Sequence, residues 1–333
     1  MTEPEKSCRT LTKRAFISGI TGQDGSFLAA LLFSKGYEVH GLVRRTSGDS
    51  LERLRICEGL FPQLHLHSGD MLDFQSLLEA IKKADPHEVY NLAAQSFVAA
   101  SFGQKVYTSE VNSIGTLNLL EAIRFINPRI KFYQASTSEM FGVSAPPQNE
   151  DTPFRPRSPY GIAKLAAHWT TVNFRESYGM FCCCGILFNH ESARRGKEFV
   201  TRKITDAVAQ IKYGLLKKLH LGNVQSKRDW GYAPDYVKAM WMMLQQDKPD
   251  DYVIATGEQH SVEDFCRIAF ARADLDWKEY VELDMSLMRP ADVVDLRGDA
   301  TKAKKVLGWE PETSFEQLIS FMVAEDMNRH DNP

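Results

Sequence analysis

The stretch Gly19-Ile20-Thr21-Gly22-Gln23-Asp24-Gly25, GITGQDG, decides how the chain is read. It joins a short apolar run, RAFISGI at residues 14–20, to a segment of helical spacing, GSFLAALLFSKG at 25–36, which stops at a glycine. Glycines at such a junction make a tight turn, admit a pyrophosphate close to the backbone and let helix and strand pack closely. The helix N-terminus beyond them favours the anion. Three spaced glycines alone can be a mere turn. At the first strand-to-helix junction, ahead of further such units, they point to a dinucleotide.

Those further units are present. YEVHGLVRR (37–45), LHLHSGD (64–70), EVYNLAA (88–94) and KFYQAS (131–136) read as strands, with FQSLLEAIKKA (74–84) and SIGTLNLLEAIRFI (113–126) as amphipathic helices between them. Short apolar strands alternating with helices of ten to fifteen residues imply a parallel, doubly wound sheet of Rossmann type, an α/β fold. The pattern runs through GMFCCCGILF (179–188) and then loosens into loop-rich, basic stretches, NHESARRGKEFVTRKI (189–204) and LGNVQSKRDW (221–230). A helix at 233–246 and a strand at 251–257 look like a return to the first domain, and two more amphipathic helices close the chain. The expected division is 14–188 plus 233–258 for the cofactor, and 189–232 plus 259–330 for a smaller, mostly α substrate domain.

Composition excludes several classes. The chain has 333 residues, 43% hydrophobic and 25% charged, with a formal net charge of −3, so no global basic field advertises nucleic acid or an anionic membrane. Its apolar runs fall far short of the ~20 residues that span a bilayer. The polar N-terminus is unlike a secretory signal. Of six cysteines, Cys182, Cys183 and Cys184 are consecutive in an apolar run, where alternating directions keep them from converging on one metal. With Cys8, Cys57 and Cys266 they show no zinc spacing and no disulfide framework. The expectation is a reduced, cytoplasmic, soluble protein without a bound metal.

The second strand selects the cofactor. An NAD site usually ends that strand with an acid for the ribose hydroxyls. Here GLVRRTS carries Arg44 and Arg45, which suit a 2′-phosphate, so NADP is expected. Asp70 and Met71 fall where an adenine would be held, and Leu92, Ala93, Ala94, Gln95 and Ser96 follow the fourth strand. The G-x-x-G-x-x-G spacing is similar to that of short-chain dehydrogenase/reductases.

Tyr160 and Lys164 are four apart and share a helix face. The Lys164 ammonium, with the positive charge of an oxidised nicotinamide, would lower the Tyr160 phenol pKa and let it take a hydroxyl proton. ASTSEMFG (135–142) adds Thr137 and Ser138, whose hydroxyls position a substrate, and Glu139, which simple oxidation does not need. A sugar oxidised at C4 has an acidic C5 proton. Glu139 is suited to remove it and to protonate the C6 hydroxyl as water departs.

With these residues assembled, the chain closely resembles the GDP-mannose 4,6-dehydratases from about residue 14 to 325. The resemblance rests on GITGQDGS, NLAAQSFV, ASTSEMFG, PRSPYGIAK, EFVTRKI, KRDWGYAPDYVKAMW and KVLGWEP. It implies a lyase acting on GDP-mannose or a closely related GDP-sugar, with Thr137, Glu139, Tyr160 and Lys164 as catalytic residues. It implies NADP contacts from Gly19, Thr21, Gly22, Gln23, Asp24, Gly25, Arg44, Arg45, Asp70, Met71, Tyr107, His190 and Arg195, from residues 92–96 and from Lys164. Asn189, Lys203, Arg228, Arg289 and Asp292, with Ser138, would hold the sugar nucleotide. A homotetramer, or a homodimer, is also implied. The chain departs from the family pattern at Asn112-Ser113, Ala193, Asp292 and Val294. The same dehydration of a GDP-heptose, a 4-keto reductase or epimerase, and a non-catalytic cofactor sensor are the other readings; Glu139 argues against the reductase or epimerase, and Tyr160, Lys164 and Glu139 together argue against the sensor.

Overall fold

A strand packed between helix layers must be apolar on both faces, and the short runs above meet that requirement. The computed structural model describes residues 12–56, 59–287 and 295–331. Its main sheet contains β1 (Arg14–Ser18), β2 (Glu38–Val43), β3 (His65–Ser68), β4 (Glu88–Asn91), β5 (Lys131–Thr137), β6 (Cys182–Leu187) and a seventh strand, Asp251–Ile254. The order across the sheet is Asp251–Ile254, β6, β5, β4, β1, β2, β3, and every neighbouring pair is parallel. This is the Rossmann-type doubly wound sheet read from the sequence. The chain winds outward from β1 through β2 and β3, then returns to β4 on the other side. The crevice between the carboxyl ends of β1 and β4 is therefore the switch point where such sheets bind ligands.

Each face of the sheet has its own core. Leu28 and Leu32 of helix α1 (Gln23–Ser34), Tyr90 of β4, and Val237, Met240 and Leu244 of the helix Ala233–Leu244 form one. Leu77, Ile81, Leu119, Ile123 and Phe174, from three helices, cover Phe16 and Phe132 on the other. Ala303, Leu307 and Trp309 join the first core, and the Trp309 indole donates to the Asp235 carbonyl at 2.8 Å. The tail thus returns to the sheet between elements of the second unit.

That second unit packs the helices Val200–Lys212, Val262–Ala271 and Phe315–Asp331 around Ile204, Val208, Trp230, Phe265, Phe315 and Met322. The helix Val200–Lys212 lies where the sequence reads as loop-rich. Its buried face carries Thr201, Arg202, Thr205 and Asp206 among its apolar residues, which blurs the amphipathic period. Arg202 is tolerated there because Asp326, fully buried on the C-terminal helix, has both carboxylate oxygens sharing its Nε–H, at 3.0 and 2.8 Å.

His168, Cys184 and Asp251 have ligand-type atoms within 4.8 Å of one another. Arg175 already holds Asp251 in a two-pronged pair at 2.9 and 2.8 Å, and burial pushes the Cys184 thiol well above its ordinary range. Asp251 is thus committed to its charge pair with Arg175.

In the centre of β6, a Cβ on Gly185 would lie 2.4 Å from the hydroxyl of fully buried Tyr133. Gly185→Ala is therefore expected to lower unfolding free energy by about 1–3 kcal/mol, the usual cost of overpacking, in urea denaturation.

Candidate active site

Gly19 follows β1 with φ +73°, and a Cβ there would meet the Ala93 nitrogen at 2.7 Å. At Gly25 a Cβ would meet the Gly19 carbonyl oxygen at 2.4 Å and Ile20 Cα at 2.5 Å. These glycines bring α1, the first turn and the segment after β4 together into one cradle. Gly22 is the N-cap of α1, with no side-chain cap bond, so the helix presents backbone N–H groups and its positive dipole end to an anion. Gly19, Thr21, Gly22, Gln23, Asp24, Gly25, Leu92, Ala93, Ala94 and Ser96 all line the cleft that opens there. Gln95 turns away: its backbone N–H donates to Asn112 Oδ1 at 2.8 Å and its carbonyl accepts from Asn112 Nδ2 at 3.0 Å. Asn112, one of the departures from the family pattern, thus fixes the path of residues 92–96.

A second hollow lies at the carboxyl ends of β2 and β3, lined by Arg44, Arg45, Thr46, Ser50, Arg55 and Ser68. Arg44 donates to the Tyr107 hydroxyl at 2.6 Å, which joins two residues that the family resemblance assigns to the cofactor. Asp70 accepts from the Leu72 N–H at 2.9 Å, and the Met71 side chain is buried in the core. A cradle that any Cβ would fill, an uncapped helix start and a hollow rich in arginine fit a phosphorylated dinucleotide.

The helix Pro159–Tyr178 begins at Ser158, whose hydroxyl accepts from the Gly161 N–H at 3.0 Å, with proline at the first position. Gly161 lets this helix press against the end of β5, since a Cβ there would meet the Glu139 carbonyl at 2.8 Å. Tyr160 and Lys164 thereby face Thr137, Ser138 and Glu139 across the same cleft. The buried Lys164 ammonium donates to the Ala135 carbonyl at 2.9 Å, and desolvation lowers its pKa to about 8. The Thr137 hydroxyl is hydrogen-bonded to Tyr160. Burial, with the nearby Glu139 carboxylate, raises the Tyr160 phenol pKa to about 12. In the protein alone Tyr160 is a protonated donor, because desolvation outweighs what Thr137 and Arg195 offer its anion.

Across the cleft, Asn189, His190, Arg195 and Arg228 come from the second unit and the chain leading into it. His190 Nδ1 lies 2.8 Å from the Phe188 carbonyl and Nε2 lies 2.8 Å from Asp24 Oδ2. Both ring nitrogens face acceptors, so the ring is held as imidazolium. Burial opposes this charge, but the Asp24 carboxylate raises the His190 pKa above 6.5, while Asp24 lies below 3.8. The pair stabilises fully between those ordinary values. It is lost as pH rises through the raised histidine pKa or falls through the lowered aspartate one. Arg195 stacks 3.7 Å from the Phe199 ring centre and its Nε lies 3.3 Å from Glu191.

Lys203 stands apart from the cleft, donating to the His220 carbonyl at 2.7 Å. Arg289 and Asp292, with Val294, Cys8 and Cys57, lie outside the described residues. Phe97, Val98, Ser136, Phe188 and Phe199 line the cleft without having been singled out; of these only Ser136, beside Thr137 at a strand end, carried a chemical signal.

A family model described as GDP-mannose 4,6 dehydratase matches residues 16–322. The chain is 55% identical over 327 residues to GDP-mannose 4,6 dehydratase 2 of Arabidopsis thaliana, covering 95% of this chain and 87% of that protein. It is 50% identical over 342 residues to GDP-mannose 4,6 dehydratase of Homo sapiens, covering 94% and 91%. Among solved structures, UDP-glucose 4-epimerase of Thermotoga maritima matches with a TM-score of 0.84 at 25% identity, over 96% of this chain and 100% of that one.

Lys164 generates a test of stability set against function. Its folded pKa of about 8 lies below the ordinary 10.5, so the folded state is penalised while both states are charged. The contribution of Lys164 to stability rises with pH from about 8 to 10.5. Lys164→Met is expected to be inactive yet roughly 2 kcal/mol more stable at pH 7, after loss of one hydrogen bond. That advantage should shrink by pH 10 in parallel urea titrations.

Proposed function

The chain belongs to the GDP-mannose 4,6-dehydratase family, and from that premise we propose how its own residues carry the reaction. The protein is a lyase that dehydrates GDP-mannose to GDP-4-dehydro-6-deoxymannose with NADP as its cofactor. NADP, when bound, accepts hydride from C4 of the sugar and returns it to C6, so it is regenerated in each turnover. Tyr160 takes the O4 proton as the C4 carbonyl forms, with Thr137 and the Lys164 ammonium favouring its anion. The carbonyl makes the C5 proton acidic. Glu139 removes that proton and passes it to the C6 hydroxyl, which leaves as water. Tyr160 then delivers its proton to C5, restoring both side chains.

The observation that carries this reading is the place of Glu139. Its residue is buried in the same cleft as Tyr160 and Lys164, and its carboxylate is close enough to oppose ionisation of Tyr160. A second acid/base group beside the Tyr160–Lys164 pair is what elimination after oxidation requires. Gly19, Thr21, Gly22, Gln23, Asp24, Gly25, His190 and Arg195 would hold the nicotinamide side and pyrophosphate, and Arg44, Arg45, Asp70, Met71 and Tyr107 the adenosine 2′-phosphate end. Ser138, Asn189 and Arg228 would hold the sugar and its diphosphate, with Lys203, Arg289 and Asp292 toward the nucleoside. On this division, residues 14–188 and 233–258 carry the cofactor, and 189–232 and 259–330 the sugar nucleotide.

Assembly into a homotetramer, built from pairs, is part of the same reading. Val106, Ile114, Ile162 and Trp169 are each about half exposed or more on helices that pack together, an apolar face suited to a second copy. No helix among the described residues is long and apolar enough to cross a membrane. The free, buried thiols of Cys182, Cys183, Cys184 and Cys266 suit the cytoplasm.

Purified protein is expected to turn GDP-mannose into a 4-keto-6-deoxy product without accumulating NADPH; accumulation in proportion to product would refute the lyase cycle. Glu139→Gln should lose about 10²–10⁴-fold in water elimination, the usual worth of a positioned acid/base, while still binding NADP in a fluorescence titration. For the assembly, Ile162→Glu with Trp169→Glu should reduce the mass measured by analytical ultracentrifugation from that of four chains to that of two.

A further inference from the structure

Three consecutive backbone carbonyls at the cleft mouth are each held by an arginine from a different element. Arg329 Nη1, on the C-terminal helix Phe315–Asp331, donates to the Ala193 carbonyl at 2.9 Å. Arg53 Nε, on the short helix Glu52–Arg55, donates to the Arg194 carbonyl at 2.7 Å. Arg202 Nη1, on Val200–Lys212, donates to the Arg195 carbonyl at 3.2 Å. Two of the three are themselves fixed by the fully buried Asp326, which accepts from Arg202 and, at 2.9 Å, from Arg329. Thr205 also donates to that carboxylate at 2.7 Å. From within the segment, Arg194 reaches the other way, to Ser26 Oγ at 3.1 Å and over the Phe27 ring of α1.

The side chain this segment delivers is Arg195, which lines the cleft. Its charge acts on Tyr160, Asp24 and His190 alike. Turn residues set local dihedrals but not where a loop sits against distant elements. Charge-assisted bonds at successive carbonyls do set that position. We infer that Arg53, together with Arg202 and Arg329 tied by Asp326, are positioning residues that hold residues 193–195 so that Arg195 reaches the bound cofactor. This rests on the reading of Arg195 as a cofactor contact. The second unit thereby helps set cofactor affinity through backbone bonds, without a side chain of its C-terminal helix entering the cleft.

The test is a double-mutant cycle read as the dissociation constant for NADPH by fluorescence titration of the full-length protein. Arg195→Met and Arg329→Met are each expected to weaken NADPH binding about 10-fold, and the double variant no more than Arg195→Met alone. Arg329→Lys should recover most of the loss. Arg53→Met, on a separate element, should reproduce it should Arg329→Met fold poorly. Losses that multiply in the double variant, or unchanged affinity in Arg329→Met and Arg53→Met beside a weakened Arg195→Met, would overturn the positioning role. Unchanged affinity in Arg195→Met would overturn it too, along with the cofactor role of Arg195, while leaving the test of Glu139 untouched.

Discussion

The bond from Lys164 Nζ to the Ala135 carbonyl, 2.9 Å long and out of reach of solvent, joins the helix Pro159–Tyr178 to the end of β5. An ammonium in such a place is costly, and its lowered pKa records that cost. Its position is bought by close packing: Gly161 lies against the Glu139 carbonyl where no larger residue fits. Because helix and strand are locked in this relation, Tyr160 is set opposite Thr137 and Glu139, and all three open on the crevice where the sheet changes winding direction. The chemistry follows from the register of one helix against one strand.

Around that contact, charge is distributed unevenly. Tyr160 is pressed toward its neutral form by burial and by Glu139, and toward its anion by Thr137 and Arg195. Asp24 opposes ionisation of Tyr160 and favours the ammonium of Lys164, and His190, pinned as imidazolium, lies directly against it. The protein alone therefore holds Tyr160 protonated. A positive ring placed beside it would favour the phenolate. Such an arrangement couples proton removal to the presence of an oxidised cofactor.

Much of this was legible in the chain because it depends on residues close in sequence. The glycine turn, the alternation of apolar runs with helices, the four-residue spacing of Tyr160 and Lys164, and the acid after Thr137-Ser138 are all local. The parts that were not legible join distant residues. The helix Val200–Lys212 hides because its buried Arg202 finds Asp326 124 positions later. The His190 imidazolium depends on Asp24, 166 positions earlier. The Lys203 ammonium rests on the His220 carbonyl, a contact that no local spacing shows. The raised pKa of Tyr160 in the protein alone was not legible either, because desolvation is a property of packing and cannot be read from spacing.

The central claim is that one cofactor is reduced and reoxidised on the same sugar while Glu139 removes water in between. It is tested most directly with GDP-mannose deuterated at C4, turned over with a small, catalytic amount of NADP and analysed by NMR. The deuterium is expected on C6 of the product. Deuterium accumulating in free NADPH, or a product whose C6 carries only hydrogen from solvent, would contradict the account.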